Sequence, residues 1–151
     1  MPGTIVVGID GSEQAAAALR WAAEEAKLRS AQLEVVHAWS YAPAATPADA
    51  GLMPMAWTES VEMLDATREA AERVAADQVR DVLGADSAAK VSVVECGTAE
   101  VLRDAAADAD LLVLGNKGRG NLASALFGST SADLADSSPC PVVIVRASES
   151  R

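Results

Sequence analysis

The chain has 151 residues, half of them hydrophobic but only 3% aromatic, and it carries a formal net charge of −10. That length suits a single domain, 1–151, whose core is built mainly from Ala, Val, Leu and Ile. The charge disfavours nucleic acid and anionic membranes as partners, yet leaves room for a local anion site made of backbone N–H groups.

Strand and helix signals alternate from the start. Residues 4–9 (TIVVGI) form a β-branched run that Asp10, Gly11 and Ser12 punctuate. Ala15, Ala18, Leu19, Ala22 and Ala26 then recur on one helical face, with Ser12 as the expected N-cap. Residues 32–38 (QLEVVHA) read as the second strand. The stretch 39–57 holds Pro43, Pro47, Gly51 and Pro54 without a sustained period, so it is either a lid or a mobile excursion.

A long helix is expected over 58–83, with Val61, Leu64, Ala71, Val74, Ala75 and Val82 on its apolar side and Gly84 as its stop. Residues 90–96 (KVSVVEC) are the third strand. Gly97 and Thr98 open a helix through Val101, Leu102, Ala105 and Ala106. Residues 110–114 (DLLVL) form an apolar run suited to a strand buried on both faces. A short helix near 131–136 and a last strand at 141–146 (PVVIVR) complete the order.

Strands separated by helices imply parallel pairing through right-handed crossovers. The expectation is an α/β fold: one open, doubly wound, parallel five-stranded sheet with helices on both faces. In such sheets a ligand sits beyond the carboxyl ends of the strands, at the switch point. Those ends bring together residues 8–11, 37–39, 96–98 and 115 onward. Cys96 and Cys140 lack metal-site or redox spacing and are expected as unbonded thiols. No apolar run approaches the roughly 20 residues of a membrane span, and the first residues carry no leader pattern. A cytoplasmic protein is expected.

The most informative segment is 115–130, GNKGRGNLASALFGST. Gly115, Gly118, Gly120 and Gly128 let the backbone come close to a ligand, and Ser129 and Thr130 add hydroxyls. Thr130 and Asp133 have capping-box spacing, so a helix should begin beside them and offer its N-terminus to phosphate. Lys117 and Arg119 add cations. Gly115 and Gly120 have Walker A spacing, but Asn121 and Leu122 stand where Lys and Ser/Thr are needed. Gly118, Gly120 and Ala123 give a weak dinucleotide pattern, on the fourth strand rather than the first and without the downstream acid.

Gly115, Gly118, Gly128 and Ser129 do reproduce the pattern G-2x-G-9x-G-[S/T]. With IVVGIDGS at 5–12 and SPCPVVIVR at 138–146, the chain resembles the universal stress protein family, specifically its ATP-binding branch, over nearly its whole length. The resemblance implies a Rossmann-like domain of the adenine nucleotide alpha hydrolase-like type that binds ATP, with Mg2+ or Mn2+ as the accompanying ion. It implies that Asp10 lies beside the nucleotide, at its adenine–ribose end or at a phosphate-bound metal. The alternative role for Asp10 is an Asx-type turn or helix cap, and both can hold. Val36, His37 and Ala38 match the adenine-contacting strand end, although His37, the only histidine, also suits a structural role.

By the same carry-over, Leu114, Gly115, Asn116 and Gly118 border the ribose and phosphates. Arg119 and Asn121 lie where their side chains close over the triphosphate, Gly120 between them belongs to the same binding set, and Gly128, Ser129 and Thr130 bind the phosphates. Gly8 and Gly97 give the ligand room. Asn116 departs from the small Ser often found at its position. The resemblance further implies a homodimer formed through the last strand, between Pro141 and Val145. No Ser-His-Asp set or defined carboxylate pair is evident, so no catalytic residue is assigned. The expected role is a nucleotide-dependent stress-response regulator with at most weak ATP hydrolysis. The alternatives are an ATP-hydrolysing enzyme of the wider hydrolase-like class, a cyclic-AMP binder and a nucleotide-free dimerisation module.

Overall fold

The computed structural model describes residues 2–39, 56–95, 97–117 and 129–147. Five strands and four helices alternate along them: β1 (Thr4–Gly8), α1 (Glu13–Arg29), β2 (Gln32–Trp39), α2 (Ala56–Leu83), β3 (Lys90–Glu95), α3 (Thr98–Ala106), β4 (Leu111–Gly115), α4 (Ser129–Ser137) and β5 (Val142–Val145). Every pairing is parallel and the sheet order is β3-β2-β1-β4-β5. The chain therefore winds outward from β1 in one direction, then returns past it through α3 to wind in the other. Because parallel crossovers keep one hand, reversing direction also moves the helices to the opposite face. That is the doubly wound sheet expected from the sequence.

The two faces follow from the period of two along each strand. Ile5, Val7, Ile9, Val35, Leu111 and Val113 meet Ala15, Ala18, Leu19, Ala22 and Ala26 of α1 and Ala75 and Val79 of α2. Val6, Val36, Leu112 and Leu114 meet Val101, Leu102 and Ala106 of α3 and Leu134 of α4. Four of the five core positions of α1 are alanines. Their small side chains bring the helix backbone close to β1 and β4, and at Gly115 the approach is extreme. A Cβ there would stand 2.9 Å from the carbonyl carbon and oxygen of Gln14.

Several boundaries differ from the sequence reading for identifiable reasons. Asp110 precedes β4 instead of opening it, because its Oδ2 accepts from the Thr4 N–H (2.7 Å) while its own N–H donates to the Thr4 carbonyl (2.9 Å). β1 ends at Gly8, although the Ile9 N–H continues its ladder by donating to the Val36 carbonyl (2.9 Å). α4 starts at Ser129, so Thr130 lies inside its first turn and is not the cap of a capping box. Asp133 instead pairs with Arg103 of α3 at 3.2 Å. α2 begins at Ala56, two residues before its expected start, and most of the irregular stretch 39–57 lies outside the described residues, as does Cys96.

Candidate functional site

A crevice opens where β1 and β4 part toward opposite sides of the sheet, at the carboxyl ends of the strands. Among the described residues it encloses about 250 Å³. Gly8, Ile9 and Asp10 form one wall at the end of β1. Val36 and Ala38 of β2 and Thr98 and Leu102 of α3 form the second. Leu114, Gly115 and Lys117 follow β4, and Ser129, Thr130 and Ser131 belong to the first turn of α4. Apolar contacts from Val36, Ala38, Leu102 and Leu114 thus face a polar end made of a carboxylate, a cation and a helix N-terminus. A helix N-terminus presents unpaired N–H groups and the positive end of its dipole, so that end suits phosphate.

Local rules fix the Asp10 wall. Ser12 caps α1, its Oγ accepting from the Ala15 N–H at 3.1 Å. Asp10 Oδ1 accepts from the Ser12 N–H at 2.9 Å, which is the Asx turn considered from sequence. Gly11 adopts φ +84°, a conformation costly for any residue with a Cβ, and this lets the chain turn between the strand and its helix. Gly8 leaves the space the crevice needs, since a Cβ there would lie 3.0 Å from both terminal methyls of Leu102 and from Cδ2 of Leu114.

The residues nominated from sequence do not all face this space. Gly8, Asp10, Val36, Ala38, Leu114, Gly115, Ser129 and Thr130 line it together. His37 does not. Its position between Val36 and Ala38 turns it to the α1–α2 side of the sheet, where it is buried and its Nδ1–H donates to the Ile9 carbonyl at 2.8 Å. Gly97 is exposed at the start of α3 with open space around it. Asn116 is not among the lining residues either: it is 8% exposed, its N–H donates to the Val145 carbonyl at 3.0 Å, and its Oδ1 has no partner among the described residues. Gly118, Arg119, Gly120, Asn121 and Gly128 lie outside the described residues.

Other contributors were not nominated. Ile9, Ala15, Thr98, Leu102 and Ser131 also border the crevice. Ser131 is buried, and its Oγ–H donates to the Gly115 carbonyl at 2.6 Å, which ties α4 to the end of β4. Gln78 of α2 reaches the Asp10 turn from the other face, accepting from the Gly11 N–H and donating to the Ser12 carbonyl, both at 2.9 Å. The sequence did hold a signal for Gln78: it falls in the same helical stripe as Ala71, Ala75 and Val79, a polar residue among apolar ones.

Among the described residues no group of three His, Cys, Asp or Glu side chains converges as a metal site. Asp10 is a carboxylate at the crevice that could hold a divalent ion also bound to phosphate oxygens. A larger open groove of about 950 Å³ lies at the opposite end of the sheet, beside Ser30, Gln32, Leu83 and Lys90. The carboxyl ends of α1 and α2 point there, and their carbonyls oppose a phosphate. Among the described residues, no helix is long and apolar enough to cross a membrane.

A family model described as the universal stress protein family matches residues 1–146. A universal stress protein of Mycolicibacterium smegmatis is 33% identical over 141 residues, covering 93% of this chain and 47% of the relative. The chain thus spans about half the length of the curated relatives it matches. Among solved structures, the universal stress protein UspA from Lactobacillus plantarum aligns with a TM-score of 0.69 and 25% identity, covering 95% of this chain and 97% of that one. A universal stress protein in complex with cAMP aligns at 0.59 with 26% identity, covering 97% and 98%. One from Archaeoglobus fulgidus in complex with dAMP aligns at 0.52 with 26% identity, covering 95% and 96%.

Proposed function

The chain belongs to the universal stress protein family, and we propose that it is a cytoplasmic member that binds ATP, with Mg2+ or Mn2+, and uses occupancy to alter a partner or its own assembly. One observation carries this reading. The Asp10 carboxylate, the apolar end of β2 and the hydroxyl-bearing N-terminus of α4 meet in one crevice, a division of labour that matches a nucleotide's sugar, base and phosphates. The glycine spacing of Gly115, Gly118 and Gly128 before Ser129 supports a triphosphate in particular. In this reading Val36 and Ala38 receive the adenine. Asp10 holds the ribose or the phosphate-bound ion, and Ser129 and Thr130 take the phosphates. The nucleotide's ion neutralises phosphate charge.

Hydrolysis is at most weak in this reading, because binding needs no general base. Titration of ATP and Mg2+ into nucleotide-free protein should show one saturable site per chain. Asp10→Ala should weaken it by about tenfold or more, the order expected for a lost charge-assisted contact. Multiple-turnover phosphate release that disappears in Asp10→Ala would favour the enzyme instead.

Cyclic AMP is the second ligand to test, because a similar solved structure holds it. A cyclic phosphate lacks the β and γ groups that Ser129 and Thr130 would receive. A preference for cyclic AMP over ATP would therefore argue against the triphosphate assignment. The dimer through β5 belongs to the same proposal. β5 is an edge strand whose four residues are all only half-buried, and an apolar edge of this kind needs a cover.

A further inference from the structure

We propose that Gln78 is a positioning residue for the nucleotide site, holding the Asp10 carboxylate in register from the opposite face of the sheet; the inference rests on the nucleotide-binding reading above. The turn that carries Asp10 is short and made of polar backbone. The Ile9 carbonyl accepts from His37, and the Ser12 N–H donates to Asp10 itself. The Ser12 carbonyl already accepts from the Ala16 N–H (3.0 Å), the first bond of α1. Two further groups of the turn are the Gly11 N–H and the second lone pair of the Ser12 carbonyl. The Gln78 carboxamide meets both at 2.9 Å.

A carboxamide suits this task better than other side chains. It offers an acceptor and a donor in one plane, matching an N–H and a C=O that diverge from one turn. Ser and Thr are too short to bridge them, and a carboxylate has no proton for the Ser12 carbonyl. Gln78 is itself fixed, being only 9% exposed and flanked by Ala75 and Val79, which sit in the core beneath α1. Gln78 is not among the residues that line the crevice. Its reach to the site runs through two backbone groups, one of them in the left-handed Gly11. Losing these bonds would leave half-buried polar groups unpaired and let the turn rotate Asp10 away from its contact.

The test is a double-mutant cycle on nucleotide affinity with the full chain, using ATP and Mg2+. Gln78→Leu should weaken binding by about tenfold, the scale of one or two lost hydrogen bonds. Gln78→Leu combined with Asp10→Ala should bind no worse than Asp10→Ala alone, because Gln78 acts only through that carboxylate. A role confined to stability would instead leave affinity of the folded variant unchanged, and independent effects would multiply. Either result overturns the proposal. Gln78→Glu is the second variant should Gln78→Leu fail to fold: it keeps the acceptor for Gly11, lacks the donor for Ser12, and should lose part of the affinity.

Amide exchange at Gly11 without nucleotide separates the two layers of the argument. It should quicken in Gln78→Leu, and an unchanged rate would remove the clamp itself. Wild type that binds no nucleotide would end the functional reading and this inference together. Wild type and Gln78→Leu that bind equally well would end this inference alone.

Discussion

Two glycines that read alike in the sequence have different physical reasons for being there. At Gly8 an added Cβ would press on the flexible ends of Leu102 and Leu114, and at Gly115 on the backbone of Gln14. Side-chain ends can shift by a few tenths of an ångström, whereas a helix backbone cannot. Gly115→Ala should therefore destabilise the fold by about 1–3 kcal/mol, and Gly8→Ala by less. Gly8→Ala should show its main effect as weaker nucleotide binding, since the new methyl enters the crevice. Chemical denaturation and a nucleotide titration on both variants check the pair, and equal stabilities would contradict the steric account. Ser12→Ala removes a helix cap and should cost about 1 kcal/mol, measured in the same denaturation series. Gly115 was nominated from sequence for its ligand; its immediate constraint is α1.

At the scale of elements, the strands and α1 were legible because periodicity is a direct consequence of burial. Ala15, Ala18, Leu19, Ala22 and Ala26 are the buried residues of α1, as their spacing implied. The continuous apolar run of β4 also reads correctly, Leu111 to Leu114 being buried on both faces. His37 shows what contact-by-neighbourhood reasoning misses. It lies between Val36 and Ala38, both in the crevice, yet strand alternation turns it behind the sheet. Gln78 and Ser131 were harder, because their importance rests on which backbone groups lie across from them, at separations of 67 and 16 residues. Among the core side chains, Leu134 is wholly buried and is the α4 residue in the core cluster of its face. Leu134→Ala should cost about 2–5 kcal/mol. It should also loosen Ser129 and Thr130, so thermal unfolding and phosphate-end affinity should fall together. A fall in stability without any change in affinity would uncouple α4 from the site.

For the whole molecule, the exposed edge of β5 and the negative charge bear on assembly. The carbonyls of Pro141 and Val145 accept from Leu112 of β4 and from Asn116 just after it, so by alternation the backbone groups of Val142 and Ile144 point outward. If that edge joins two copies, light scattering should give about twice the 15.5 kDa chain mass. Ile144→Pro, which removes one outward N–H, should return it to a monomer. A monomeric wild type would contradict the dimer. The central claim is broader, that an acidic chain builds a nucleotide site from strand ends and a glycine loop. Mass spectrometry of small molecules released on denaturing freshly purified protein tests it most directly, with Gly118→Ala as the control. The account predicts ATP or a related adenine nucleotide, near one per chain, from wild type and little from the variant. A wild type that releases no nucleotide and gains no thermal stability from added ATP would contradict it.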